Sequence, residues 1–166
     1  MTEYVILVDE KDAEVGREEK METHRRGLLH RAFSVMLFNE DKILLHRRAL
    51  SKYHSPGLWS NACCGHPRPG ETVEAGARRR LLEEMGIYCP ALQWRAKTQY
   101  TVPLKGGMTE NEIVHLFLGK YDGPIEPDPE EVMDWAWRDL GAFRAEAPDS
   151  PNYTYWLKLY VTRGLI

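Results

Sequence analysis

Apolar residues recur along this chain in two rhythms, a period of two and a period near four. Residues 4–8 (YVILV) are a short apolar run that predicts a strand. Residues 9–12 then turn, and residues 15–20 predict a second strand paired with the first. Residues 21–29 (METHRRGLL) are polar and read as a helical turn or a loop, with His24 inside and His30 just beyond. Residues 32–38 (AFSVMLF) form a strongly apolar run that predicts a central strand; 39–42 is a hairpin turn and 43–47 the return strand. Residues 58–63 read as a buried approach to the loop that follows. Then the rhythm changes. Val73, Ala77, Leu81 and Met85 recur every fourth residue, predicting a helix capped by Thr72 and ended by Gly86. Period two returns in residues 92–102, a predicted strand with Tyr100 near its end, and a loop with Gly106 and Gly107 covers 103–108. A strand follows in residues 110–118 and the proline-rich 123–129 turns. Residues 131–140 predict a last strand, and residues 153–161 an aromatic helix on which Tyr153, Trp156, Leu157 and Tyr160 share a face.

At 166 residues this pattern fits one domain, residues 1–166, of the α/β class. The net charge of −3 gives no electrostatic case for nucleic acid, although local arginines suit a small anion. The acidic start (MTEYVILVDEKD) is no secretory signal, no apolar run reaches transmembrane length, and no extension resembles an import segment. Three cysteines, two of them adjacent, do not read as a disulfide framework. A cytoplasmic setting without membrane association is expected.

Three clusters bear on chemistry. Arg47, Arg48 and Lys52 precede Pro56-Gly57 and read either as a solvated basic loop or as a phosphate clamp. Glu110 and Glu112 stand two apart at the start of an apolar strand, so they share one face. Like charges so placed call for a metal ion or a shared proton, unless the strand end is simply solvated. Third, residues 61–87 (NACCGHPRPGETVEAGARRRLLEEMGI) place Gly65, Pro67, Pro69 and Gly70 in a bent loop before the helix. Arg80 and Glu84, four apart, are neighbours on the helix surface.

Gly65, Glu71, Arg79, Leu81, Glu83, Glu84, Gly86 and Ile87 have the order and spacing of the Nudix box, a loop–helix–loop that holds divalent metal against a diphosphate. One position departs: after Arg79 the pattern has a metal-binding glutamate, and this chain has Arg80. Together with WSNACCGHP, RRALSK, the TENE strand start and the C-terminal tryptophan helix, the chain resembles type I isopentenyl-diphosphate isomerases over about residues 4–160. The resemblance implies a Nudix-type mixed β-sheet sandwiched between α-helices. It also implies interconversion of isopentenyl and dimethylallyl diphosphate through a carbocation-like state.

The resemblance further implies Cys64, Glu112 and Tyr100 as catalytic residues. It makes His24, His30, His66, Glu110 and Glu112 the ligands of one tightly bound Mn²⁺ or Zn²⁺. Glu84 is then the residue that holds Mg²⁺ against the substrate diphosphate, with the Cys64 backbone carbonyl as a further oxygen. Lys20, Arg48, Lys52 and Arg80 contact that diphosphate, and Trp156 faces the cationic carbon. The expected partner is a prenyl diphosphate, and the expected state a monomer or weak homodimer. Two other readings compete: a Nudix hydrolase of a nucleoside or prenyl diphosphate, disfavoured by Arg80, and a non-enzymatic metal or redox module built on Cys63, Cys64 and His66. The latter leaves Glu110, Glu112 and the cations without a purpose.

Overall fold

The computed structural model describes residues 2–89 and 91–166. Strand β1 (Tyr4–Val8) pairs antiparallel with β2 (Glu14–Glu19). The polar stretch that follows is helix α1 (Lys20–Arg26). The Glu19 carboxylate caps its first turn by accepting from the Met21 and Glu22 amides, and Gly27 closes it in the left-handed region at φ 64°. β3 (His30–Asn39) and β4 (Lys42–Arg48) make the expected hairpin. Short strands β5 (Trp59–Ser60) and β6 (Cys63–Gly65) lead to α2 (Val73–Met85). Then come β7 (Gln93–Pro103), β8 (Thr109–Lys120) and β9 (Val132–Asp139). Helices α3 (Leu140–Glu146) and α4 (Tyr155–Thr162) complete the chain.

β3 organises the sheet. One of its edges runs parallel to β8 from His30 opposite Glu112 to Phe38 opposite Lys120. Its other edge takes β6 antiparallel, with Ser34 opposite Cys64. The other pairings between these strands are antiparallel, so the sheet is mixed. The period of two along β3 then divides the core. Phe33, Val35 and Leu37 point to one face, where Ala77, Leu81 and Met85 of α2 cover them. Ala32 and Met36 point to the other, under Phe143 of α3 and Trp156, Leu157 and Tyr160 of α4. The sheet is thus held between helices. No helix among the described residues is long and apolar enough to cross a membrane.

Three expectations need correction. Gly65 lies in β6 and not in the bent loop. The Phe33 ring crosses it so closely that a Cβ there would lie 2.9 Å from Phe33 Cζ, so this position needs glycine for close approach. The C-terminal helix starts at Tyr155, with Thr154 at its N-cap position. Tyr153 precedes it and is buried through a bridge to Trp59, because its helical spacing happened to coincide with a core position in a loop. Helix α3, and the short 3-10 turn Ala147–Asp149 after it, had no counterpart in the sequence reading, since both are too short to show a helical period.

Gly86 ends α2 at φ 64° and stands against the segment leading to β9; a Cβ there would lie 2.5 Å from the Glu126 carbonyl oxygen. That segment is fastened to the helix end by Glu126 N donating to Met85 O (3.0 Å) and Asp128 N donating to Glu84 O (2.9 Å). Gly86→Ala is expected to destabilise the fold by at least about 2 kcal/mol, from left-handed backbone cost plus displacement of this segment. Urea unfolding of the two proteins measures it; equal midpoints would refute the packing argument.

Candidate active site

The strand register assembles the site. Glu112 on β8 is directly opposite His30 on β3 and directly opposite Tyr100 on β7, so three polar side chains stand in a row across three strands. Cys64 is opposite Ser34 on the other edge of β3. α1 brings in His24, and the chain leaving β6 brings in His66. Ser34, Cys64, His66, Tyr100 and Glu112 line one cleft together with Glu110, Trp156, Arg48, Lys52, Arg80, Glu84 and Lys20, and His24 and His30 are fully buried behind them.

At the inner end, ligand atoms of His24, His30, His66 and Glu112 all lie within 4.8 Å of one another. His66 Nε2 is 2.9 Å and His30 Nε2 3.2 Å from Glu112 Oε1, and the two Nε2 atoms are 3.2 Å apart. Two of the rings have fixed tautomers. His24 Nδ1–H donates to the Lys20 carbonyl (2.7 Å) and His30 Nδ1–H to the Leu28 carbonyl (2.9 Å), so in the neutral rings both Nε2 atoms carry bare lone pairs. His24 Nε2 is buried with no hydrogen-bond partner among the described residues. Lone pairs converging at these spacings are what a divalent ion with bonds of about 2.0–2.2 Å brings together. Burial lowers the His24 pKa and takes that of His66 down to about 4, which favours the neutral, metal-ligating form. The residues therefore fit a divalent metal.

Glu110 is outside this group of four. Its Oε1 is 3.8 Å from His54 Nε2 and its Oε2 3.3 Å from the Tyr100 hydroxyl, which is also 3.0 Å from Glu112 Oε2. One hydroxyl proton cannot serve two carboxylates. Burial and the adjacent Glu112 charge push the Glu110 carboxyl well above its usual range, against the hydrogen bond it accepts from Tyr100. Burial also raises Glu112, but its contacts with His30 and His66 outweigh this and hold it well below the usual range.

Cys64 sits in a polar notch. Its thiol donates to Asn61 Oδ1 (3.2 Å) and lies 3.3 Å from Ser34 Oγ, which in turn meets the Tyr160 hydroxyl at 2.7 Å. The Asn61 amide cannot flip, because its Nδ2 donates to the Val35 and Cys63 carbonyls (2.9 Å each). Trp156 Nε1 donates to Ser60 Oγ (3.0 Å) and Asn61 Oδ1 (3.2 Å), so one amide oxygen orients both thiol and indole. Burial pushes the thiol up to about 11, with Ser34 and Asn61 limiting the rise.

The outer end is ionic. Glu84 is buried and not on the helix surface as its spacing suggested; burial raises its pKa while Arg80 and Lys52 oppose the rise. Arg80 pairs with Glu84 and, at 2.7 Å, with Glu83. Arg79 grips Glu71 through two bonds of 2.9 Å and ties the loop after β6 to α2. Arg48 donates to the His54 carbonyl (3.1 Å from Nη2), and its guanidinium carbon lies 5.3 Å from the Trp156 ring centre.

Sequence reasoning did not assign roles to His54, Tyr53, Ser34, Asn61, Tyr160 or Glu131. Ser34 left a trace, as the one polar residue inside the apolar run of β3. Asn61 lay within the WSNACCGHP stretch, whereas the positions of His54 and Glu131 depend on loop conformation.

A NUDIX domain model matches residues 28–160. The chain is 49% identical over 165 residues to "Isopentenyl-diphosphate Delta-isomerase 1" of Aromatoleum aromaticum, covering 98% of this chain and 93% of that protein. It is 44% identical over 171 residues to the "Isopentenyl-diphosphate Delta-isomerase" of Burkholderia multivorans, covering 99% and 94%. Among solved structures it is similar to DR0079 from Deinococcus radiodurans, with a TM-score of 0.77, 22% identity, and 97% and 98% coverage. That likeness bears on the fold.

Trp156→Phe is expected to leave Asn61 without one donor and to cost about 1–2 kcal/mol of stability, as for a buried hydrogen bond left half-made. Thermal unfolding measures the loss, and an unchanged melting temperature would contradict the orienting role given to the indole N–H.

Proposed function

The chain belongs to the isopentenyl-diphosphate Delta-isomerase family, built on a NUDIX domain, and from that premise we propose how its own residues interconvert isopentenyl and dimethylallyl diphosphate. The reaction adds a proton to the terminal methylene carbon, which becomes a methyl group. It removes a proton from the carbon nearer the diphosphate, and the double bond moves by one position. The observation that carries this reading is a single cleft with proton-handling groups at a buried end and cations at the other.

Cys64 and Glu112 are on strands at opposite edges of β3. In this reading one gives the proton and the other takes one, and they exchange parts in the reverse direction. Tyr100, bonded to the Glu112 carboxyl, relays its proton. Trp156, held edge-on by His54 and through its N–H by Ser60 and Asn61, offers its ring to the cationic carbon for about 0.5–2 kcal/mol. The buried end keeps water from capturing that carbon.

His24, His30, His66 and Glu112 are the ligands for one divalent ion, Mn²⁺ or Zn²⁺, with Glu110 beside them as a fifth. Glu84, with the Cys64 carbonyl, is assigned to Mg²⁺ carried by the substrate. Bound there, the first ion stabilises the charged form of Glu112 and the second neutralises diphosphate charge. Lys20, Arg48, Lys52 and Arg80 hold the diphosphate oxygens. A hydrolase reading is not favoured, because Arg80 occupies the place of the carboxylate that would help hold metal for water attack.

Isopentenyl diphosphate supplied with Mg²⁺ in D₂O is expected to give dimethylallyl diphosphate with deuterium in the new methyl group, observed by NMR. Release of inorganic phosphate instead would favour hydrolysis. Cys64→Ala is expected to lower turnover about 10²–10⁴-fold while diphosphate binding persists; normal turnover in that variant would sink the mechanism. Removing the tightly bound metal by dialysis against a chelator is expected to lower both turnover and melting temperature, with recovery on adding Mn²⁺ or Zn²⁺. A melting temperature indifferent to metal would count against the four-ligand site.

A further inference from the structure

Three of the four cations assigned above to the diphosphate already hold carboxylates. Lys20 Nζ is 3.1 Å from Glu3, and Lys52 Nζ is 2.5 Å from Glu131 Oε2. Arg80 Nη2 meets Glu84, and the same nitrogen is 3.5 Å from Glu131 Oε1. Only Arg48 of the four has no carboxylate pair among the described residues. Glu131 is thus a bridge: one oxygen faces the loop after β4 and the other faces α2. Its backbone is fixed as well. Its N–H donates to Asp128 O (3.0 Å), and its carbonyl receives Ala49 N–H (3.0 Å), three residues before Lys52. The carboxylate and the lysine are therefore carried by segments bonded to each other, and the pair is built into the fold.

This arrangement bears on which form of a diphosphate the site accepts, granted the functional reading above. A bare diphosphate that binds Lys52 and Arg80 must take both from Glu131. It then lies against a carboxylate that has lost its partners, with buried Glu84 close by on the same guanidinium nitrogen. Like charges at that range, partly desolvated, oppose binding. A diphosphate carrying Mg²⁺ meets no such opposition. Its cation faces the two carboxylates, and its oxygens face Lys52, Arg80 and the carboxylate-free Arg48.

We propose that Glu131 is a specificity-determining residue that, with Glu84, makes the cleft select the magnesium complex of a diphosphate over the free anion. Glu131 acts by holding Lys52 and Arg80 in neutralised form until a cation arrives with the substrate. Glu84 alone cannot do this, because it lies on α2 and its ion pair with Arg80 is confined to that helix. Glu131 joins both cation-bearing elements.

The test is calorimetric titration of the metal-loaded enzyme with inorganic diphosphate, once in magnesium-free buffer and once with excess Mg²⁺. In Glu131→Gln, which keeps the shape and removes the charge, the free anion is expected to bind about tenfold tighter than to the natural protein. The advantage conferred by Mg²⁺ shrinks by about the same factor. Glu131→Ala shifts selectivity in the same direction, and Glu131→Asp retains it. A purely structural salt bridge predicts that both forms weaken together. That result, or an unchanged ratio of the two affinities in a folded variant, overturns the proposal while leaving the isomerase reading intact. Failure of the natural protein to bind diphosphate in either form overturns both.

Discussion

Two carboxylates, Glu110 and Glu112, are buried side by side on one face of β8, each about 4% exposed. Burying a single charge is costly and burying two like charges more so, unless partners compensate. Everything at the inner end of the cleft answers that demand. The register brings His30 and Tyr100 to Glu112 from either side; α1 adds His24, and the chain leaving β6 adds His66. The outcome is asymmetric. Glu112 gathers imidazoles and stays ionised, whereas Glu110, with Tyr100 and His54, is pushed towards the neutral acid. Two identical side chains two residues apart are thereby pushed in opposite directions by their surroundings.

β3 is the element that makes this asymmetry affordable to the fold. It puts Phe33, Val35 and Leu37 under α2 and Ala32 and Met36 under α3 and α4, so its hydrophobic work is complete on both faces. Two of its polar residues, His30 and Ser34, are four apart and share one face. One reaches the carboxylate of β8 and the other the thiol of β6. The spacing of four along one strand therefore sets how far the Glu112 carboxylate and the Cys64 thiol stand apart, and the flanking core holds that distance.

Much of this was legible in the chain. The helix 73–85, the hairpin around 39–42 and the shared face of Glu110 and Glu112 follow from periodicity and turn chemistry, which are local properties. The Nudix-type sandwich followed from resemblance over most of the chain. Register was not legible: nothing local says that Tyr100 falls opposite Glu112, or Ser34 opposite Cys64. Nor was burial at helix ends. Glu84 looked like a surface partner of Arg80 from spacing, yet the segment 126–131 packs over the helix end and encloses it. His54 and Tyr53 lie in a loop where Ser55 adopts a φ of 50°, a conformation with no signature in residue type here.

The replacement of a box carboxylate by Arg80 has the same physical logic as the buried pair, with the sign reversed. Hydrolysis of a diphosphate needs water beside phosphorus, metal to activate it, and carboxylates to hold that metal. Isomerisation needs the opposite at the hydrocarbon end, because water there would trap a tertiary cation. In the proposed reading, a guanidinium at position 80 withholds one metal-holding oxygen and offers a donor to diphosphate oxygens. Its ion pairs with Glu83 and Glu84 keep it extended along α2 beside the diphosphate end, while Cys64, Tyr100 and Trp156 occupy the inner end. In the proposed reading, one substitution on a shared scaffold thus shifts the box from activating water to anchoring an anion, and leaves the chemistry to side chains that the box never contained.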